Sequence, residues 1–225
     1  MDALFQSTLS AVDSCCRLEP VAVPPELALT QFPLKALELS CYNWKAEAIY
    51  KMYAMRLRVR VPALDVLGMA IYPAENLDAP FFIFDLSCTR KKVVTYINCI
   101  ALTDSEAYRQ AYLGPLQPAA DRYRHLPPQR MPAWMCAYRN LATIYSLPER
   151  ARLPEIKQAV RDYLEIYLDV LAGAAAVTDR GCQAQIASAR RTYLEKLRTK
   201  DRSRMMLGKI IGTKKANRIF QEVLT

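Results

Sequence analysis

An α+β fold, an antiparallel sheet covered by helices, follows from three features of the sequence. Between about residues 36 and 102 the chain runs through apolar segments that alternate with period two or are rich in β-branched and aromatic residues. These segments are joined by short punctuation, PAENLDAP and TRKK, which suits antiparallel neighbours and leaves no room for crossover helices. After Asp104 the periodicity becomes helical. Strands first and helices afterwards are the signature of this class, and 225 residues suffice for one domain spanning 1–225.

Residues 3–16 have helical spacing, and the proline-bearing stretch LEPVAVPPE ends it. AIYKMYAMRLRVRV then sets Met55, Leu57, Val59 and Val61 on one face and Arg56, Arg58 and Arg60 on the other, a half-buried strand. LDVLGMAIYP, APFFIFDLSC and KKVVTYINCIAL read as three further strands. Helical spacing returns in SEAYRQAYLGPL, PAWMCAYRNLATIYSL and PEIKQAVRDYLEIYLDVLAGA. In the last of these Ile156, Val160, Tyr163, Leu164, Tyr167 and Leu171 form an apolar stripe, with Pro154 suited to the first turn. QAQIASARRTYLEKLR and KANRIFQEVL supply two closing helices, with Gly212 as a stop before the second.

Composition excludes several chemistries. With 52% apolar and 24% charged residues the chain is globular, and disorder is not the reading. One histidine, His125, cannot build a His-rich metal site, and a catalytic triad could use only this residue, which sits in the loop-like RYRHLPPQR. Seven cysteines, none in a C-x-x-C pair, read as reduced thiols and give neither a disulfide framework nor an iron–sulfur site. No G-x-G-x-x-G or Walker A loop is present, so any electrons come from outside the chain. No segment approaches the roughly 20 apolar residues of a membrane span, and the start lacks the features of a secretory signal. A cytoplasmic protein is expected, although a mature plastid protein would look the same.

The net charge is +9, and residues 186–225 hold eleven basic and three acidic residues, hence eight of those nine charges. Such a tail suits an acidic partner: nucleic acid, an anionic membrane or an acidic protein. It also fits a solvated helical face with no partner.

Two carboxyls are candidates for chemistry. In FFIFDLS the alternation puts Phe81, Ile83, Asp85 and Ser87 on one face and Phe82, Phe84 and Leu86 on the other. A carboxyl in that setting lacks water, and desolvation raises its pKa towards the range of a proton donor. The competing reading is an Asp at a strand end turned out to a loop. Asp201, in LRTKDRSRMM, reads by default as a salt-bridged surface residue, and Arg202 beside it could grip a substrate carboxylate.

The order of these segments resembles the ferredoxin-dependent bilin reductase family. LDVLGMAIYPAENLDAPFFIFDLS is similar to that family's strand, proline-marked turn and strand ending on a proton-donating Asp, here Asp85. KKVVTYINCIALTD follows as in the family, and PAWMCAYRNLATIYS resembles its Pro-x-Trp helical region. KDRSRMMLGKIIGTKKANRIFQEVL resembles the terminal pattern of an Asp–Lys/Arg pair, a helix, Phe/Ile-Gly and a helix closing on Val-Leu. The pair maps onto Asp201 and Arg202.

The resemblance implies an α/β/α sandwich with the bilin between the sheet and the C-terminal helices. It implies no bound metal or flavin, electrons from reduced ferredoxin docking on a basic surface, and protons delivered by carboxyls through bilin radicals. Asp85 and Asp201 are then catalytic, and Arg202 pairs with a bilin propionate. Gly68 stands where phycocyanobilin-forming members carry a His, and Met55 where they carry the Glu of D-ring vinyl reduction, so these two substrate-binding positions lack protic groups. A two-electron reduction of biliverdin IXα or a dihydrobiliverdin is therefore expected, at the 15,16 methine bridge or in the A-ring diene system. The basic residue expected near the end of the Trp134 helix is not evident, since Tyr145 and Ser146 occupy that stretch. The resemblance also implies a monomer, with heme oxygenase or a bilin acceptor as further partners and neither nucleic acid nor membrane. Other readings are a reductase of a chlorophyll-derived open tetrapyrrole, a non-catalytic bilin carrier, and a basic nucleic-acid binder.

Overall fold

A computed structural model describes residues 1–32 and 37–225. Its strands are β1 (Glu19–Val21), β2 (Leu29–Phe32), β3 (Leu37–Ala46), β4 (Ile49–Val59), β5 (Leu64–Pro73), β6 (Phe81–Cys88), β7 (Val93–Ile100) and β8 (Ile144–Ser146). They pair antiparallel in the order β1-β3-β4-β5-β6-β7-β8. β2 also pairs with β3, along Leu37–Ser40, while β1 takes Asn43–Lys45. The helices are α1 (Asp2–Cys16), α2 (Pro25–Ala28), α3 (Glu106–Tyr108), α4 (Gln117–Arg122), α5 (Ala133–Cys136), α6 (Leu153–Ala172), α7 (Arg180–Lys200), α8 (Arg202–Ile211) and α9 (Thr213–Arg218).

Alternation along the strands divides the buried side chains into two cores. On one face Phe82, Phe84 and Leu86 of β6 join Leu4 and Phe5 of α1 and the stripe of α6. On the other, Phe81 and Ile83 join Ile186 and Tyr193 of α7, Leu207 of α8 and Phe220 near the end of the chain. The three-layer sandwich, and the split of FFIFDLS between its faces, are as the sequence and the resemblance predict. Among the described residues no helix is long and apolar enough to cross a membrane.

Tyr167 on α6 illustrates how the first core is held. Its ring stacks on Phe82 with centroids 5.1 Å apart, and its hydroxyl donates to the carbonyl of Pro80 at 3.1 Å, just before β6. Both residues are buried. Replacing Tyr167 by Phe keeps the stack but removes the donor, so the variant is expected to lose about 1–2 kcal/mol. Denaturant titration would read this as a lower midpoint with an unchanged slope.

Three segments depart from the sequence reading. Residues 132–147 do not form one helix: α5 is a single turn, and Ile144–Ser146 pairs with Thr95–Ile97 as the sheet's last strand. Asn140 ends the helical run by donating to the carbonyl of Cys99 at 2.7 Å and accepting from the amide of Ala142 at 2.9 Å. Thr143 donates to Asn98 at 2.9 Å, which fixes the approach of the new strand. Residues 105–116 form one α-turn at α3, then a wider π-turn and a 3-10 turn at Gly114–Leu116. Three helices close the chain where local spacing shows two. The additional helix is α8, which the resemblance implies, and Gly212 at φ 95° separates it from α9.

Candidate active site

The site begins as a cross-strand row. Met55 of β4 pairs with Gly68 of β5, Gly68 with Asp85 of β6, Asp85 with Tyr96 of β7, and Tyr96 with Tyr145 of β8. Residues directly opposite in an antiparallel sheet point to the same face, so the row crosses the floor beneath the C-terminal helices. Between that floor, α7, α8 and the segment Gln129–Arg139 lies a cavity of about 1010 Å³. Its wall is mostly apolar and aromatic, including Trp134, Tyr193, Met206 and Leu207. A few polar groups converge in it, the usual make-up of a small-molecule site.

Asp85 is half-buried on the floor and accepts a bond from the Ser87 hydroxyl at 3.2 Å. Burial, then the nearby charge of Asp201, push its pKa up to about 7, and the Ser87 bond opposes the rise. Gly68 makes room for this carboxyl: a Cβ at position 68 would lie 3.2 Å from Oδ2 of Asp85. Met55 is buried and lines the wall beside it.

Asp201 also lines the cavity, and among the described residues it forms no salt bridge of the kind read from its basic neighbourhood. The residue ends α7 in an extended conformation (φ −71°, ψ 122°) and caps α8. It accepts from the amide of Ser203 at 2.8 Å and from the Ser203 hydroxyl at 2.7 Å, both on Oδ1. Burial raises its pKa, and the two Ser203 bonds lower it. The charges of both carboxyls, after burial itself, help keep Tyr145 protonated, with Arg202 opposing. Tyr53 on β4 is held protonated by its burial first, with Tyr72 and then the two carboxyls adding to that.

Arg202 is exposed at the cavity rim, and Arg130 and Arg139 join it there. Basic side chains therefore do stand near the Trp134 segment, at positions 130 and 139. Because α5 stops at Cys136, Arg139 enters a turn facing the cavity. Arg139 stands openly in PAWMCAYRN, but a helical reading of that stretch hides where it points. Ser203 and Tyr53 were likewise not legible as site residues, since Ser203 reads only as part of a helix cap and Tyr53 as one aromatic of a strand. His125 lies outside the cavity, bonded to Glu155 at 2.6 Å.

The model of the ferredoxin-dependent bilin reductase family matches residues 5–225. The chain is 26% identical over 216 residues to the phycocyanobilin:ferredoxin oxidoreductase of Gloeobacter violaceus, covering 92% of this chain and 82% of that one. It is 29% identical over 160 residues to the phycoerythrobilin:ferredoxin oxidoreductase of Nostoc punctiforme, covering 67% and 61% respectively. Its fold is similar to that of phytochromobilin synthase from tomato, solved in complex with biliverdin, with a TM-score of 0.89, 18% identity, and coverage of 97% of this chain and 80% of that one. The match along nearly the whole length, on a sheet-and-helix sandwich, makes the chain a ferredoxin:bilin oxidoreductase and a member of the ferredoxin-dependent bilin reductase family.

Proposed function

We propose that this enzyme reduces biliverdin IXα or a dihydrobiliverdin by two electrons and two protons. The electrons come one at a time from reduced ferredoxin. The observation that carries this reading is the presence of Asp85 and Asp201 in one cavity, with no carboxyl or imidazole at Gly68 and Met55 beside Asp85. Asp85, with its pKa near neutrality, is the principal proton donor to the one-electron-reduced bilin. Asp201 is the second donor or the anion that organises the site. Propionates are expected at the rim, where Arg202, Arg139 and Arg130 gather positive charge. The aromatic wall suits a flat conjugated ligand.

Purified protein mixed anaerobically with biliverdin, ferredoxin and a ferredoxin-reducing system should convert a bound-biliverdin spectrum through a transient radical band to a blue-shifted product. Chromatography of the product identifies the double bond reduced. Binding with no conversion would favour a carrier or a chlorophyll-derived substrate, and absence of binding would remove the reading.

The donor must carry its proton, so turnover should fall as pH rises through about 7, the pKa to which Asp85 is raised. A profile measured with ferredoxin reduction kept fast should show this alkaline limb. A flat profile from pH 6 to 9 would contradict Asp85 as donor.

A further inference from the structure

Each site aspartate has a serine two residues further on, and both serines line the cavity. The two are not equivalent. Ser87 gives Asp85 one bond, at 3.2 Å, from its hydroxyl. Ser203 gives Asp201 two, at 2.7 Å from its hydroxyl and 2.8 Å from its amide, both to Oδ1. Two short bonds from donors favour the charged form of a carboxyl much more than one long one does. Two carboxyls that share a desolvated cavity and sense each other's charge do not both ionise freely, so the better-solvated member keeps the negative charge.

We propose that Ser203 is a positioning residue that keeps Asp201 the charged member of the pair and thereby leaves the transferable proton on Asp85. The inference rests on the proton-donor reading of Asp85. Other titratable groups facing the pair are Tyr53 from β4, Tyr96 from β7, Tyr145 from β8 and Tyr193 from α7, all held protonated chiefly by burial. Arg202, at the start of α8, is exposed at the rim. Arg130 and Arg139, from the segment facing α8, are also exposed at the rim. The tyrosines add no charge and the three arginines stand at the solvated rim, so the distribution of one proton between the two carboxyls turns chiefly on their own hydrogen bonds and burial. No atom is gained or lost in this step. The proton leaves Asp85 for the reduced bilin, and Asp201 is anionic during this first transfer.

The serines therefore act in opposite directions. Ser203→Ala leaves the capping amide in place, so α8 keeps its start, but Asp201 now competes for the proton. Turnover at pH 7 should fall about tenfold, the effect of losing one hydrogen bond to a charged group. It should recover as the pH is lowered and both carboxyls fill, which displaces the alkaline limb to lower pH. Ser203→Thr, which keeps a hydroxyl, should restore the profile. Ser87→Ala removes a bond that favours ionised Asp85, so its limb should move to higher pH. A Ser203→Ala profile that only scales down, or moves with that of Ser87→Ala, would overturn the proposal. If Asp85→Asn retained normal turnover, the donor reading itself would fail. With Asp85→Asn inactive and the Ser203→Ala limb unmoved, only the role of Ser203 would fail.

Discussion

Asp85→Asn should bind biliverdin and lose turnover by about 10²–10⁴, the usual contribution of a positioned general acid. Asn preserves the volume and one polar oxygen at the centre of the floor, so the cavity keeps its shape and the bound-bilin spectrum should persist. What disappears is the only group on the Met55–Gly68–Asp85 stretch that can donate a proton. The same variant should be more stable than the parent protein at pH 8. Asp85 has its pKa raised in the folded state, by burial first and the charge of Asp201 second, so folding favours its protonated form. Above about 7 the carboxyl is ionised in both states, and the folded state bears the full penalty of holding that charge. As pH falls towards the ordinary carboxylate range the penalty vanishes. The stability gain of Asp85→Asn should therefore be a few kcal/mol above neutrality and shrink between about pH 7 and 4. Lower turnover together with higher stability marks a residue kept for chemistry at the expense of the fold. Near-normal turnover, or a variant less stable at pH 8, would count against this role.

Why Asp85 was legible in the sequence and Asp201 was not follows from the physics of the two segments. Asp85 lies in a strand, where period two assigns a face from immediate neighbours, and Phe82, Phe84 and Leu86 announce the opposite core. The inference needs no distant contact. Asp201 lies between two helices amid Lys200, Arg202 and Arg204, and nothing local says that α7 and α8 return over the sheet. Its burial comes from tertiary packing, and only the resemblance marked it. The Asp-x-Ser spacing there is a visible helix-cap signal, yet a cap tells where a helix starts and says nothing of what its side chain faces. The same limit explains β8. Ile144–Ser146 becomes a strand because β7, about fifty residues earlier, offers a free edge, and Asn140 and Thr143 bond to that neighbour. The strands β4 to β7 and helix α6, by contrast, have periodicities sustained over several turns or pleats, and their bounds agree with the sequence reading to within a few residues, whereas β3 is legible only as part of a strand-rich region.

Gly68→Leu should lower turnover by about a hundredfold while leaving the fold intact. Glycine inside a strand costs stability relative to residues with side chains, by about 0.5–1 kcal/mol, so the substitution is not intrinsically harmful to β5. Its consequence lies on the floor. A Cβ at this position would stand 3.2 Å from Oδ2 of Asp85, so the carboxyl must shift by a few tenths of an ångström. The rest of the leucine would project into the space between Met55 and Asp85, its two neighbours in the cross-strand row. A bilin ring that approaches Asp85 from above is then held away from its proton donor, and a misplacement near 1 Å costs about 10²-fold. Gly68→Ala carries only the Cβ and should lose a few-fold, so the two variants form a graded series. In both, the bound-bilin spectrum reports whether the ligand still enters, and single-turnover rates report whether the proton still arrives. A leucine variant that turns over normally would mean that the ring does not rest over this part of the floor. The loss expected instead would make the bare backbone at Gly68 a determinant of where the bilin lies relative to Asp85.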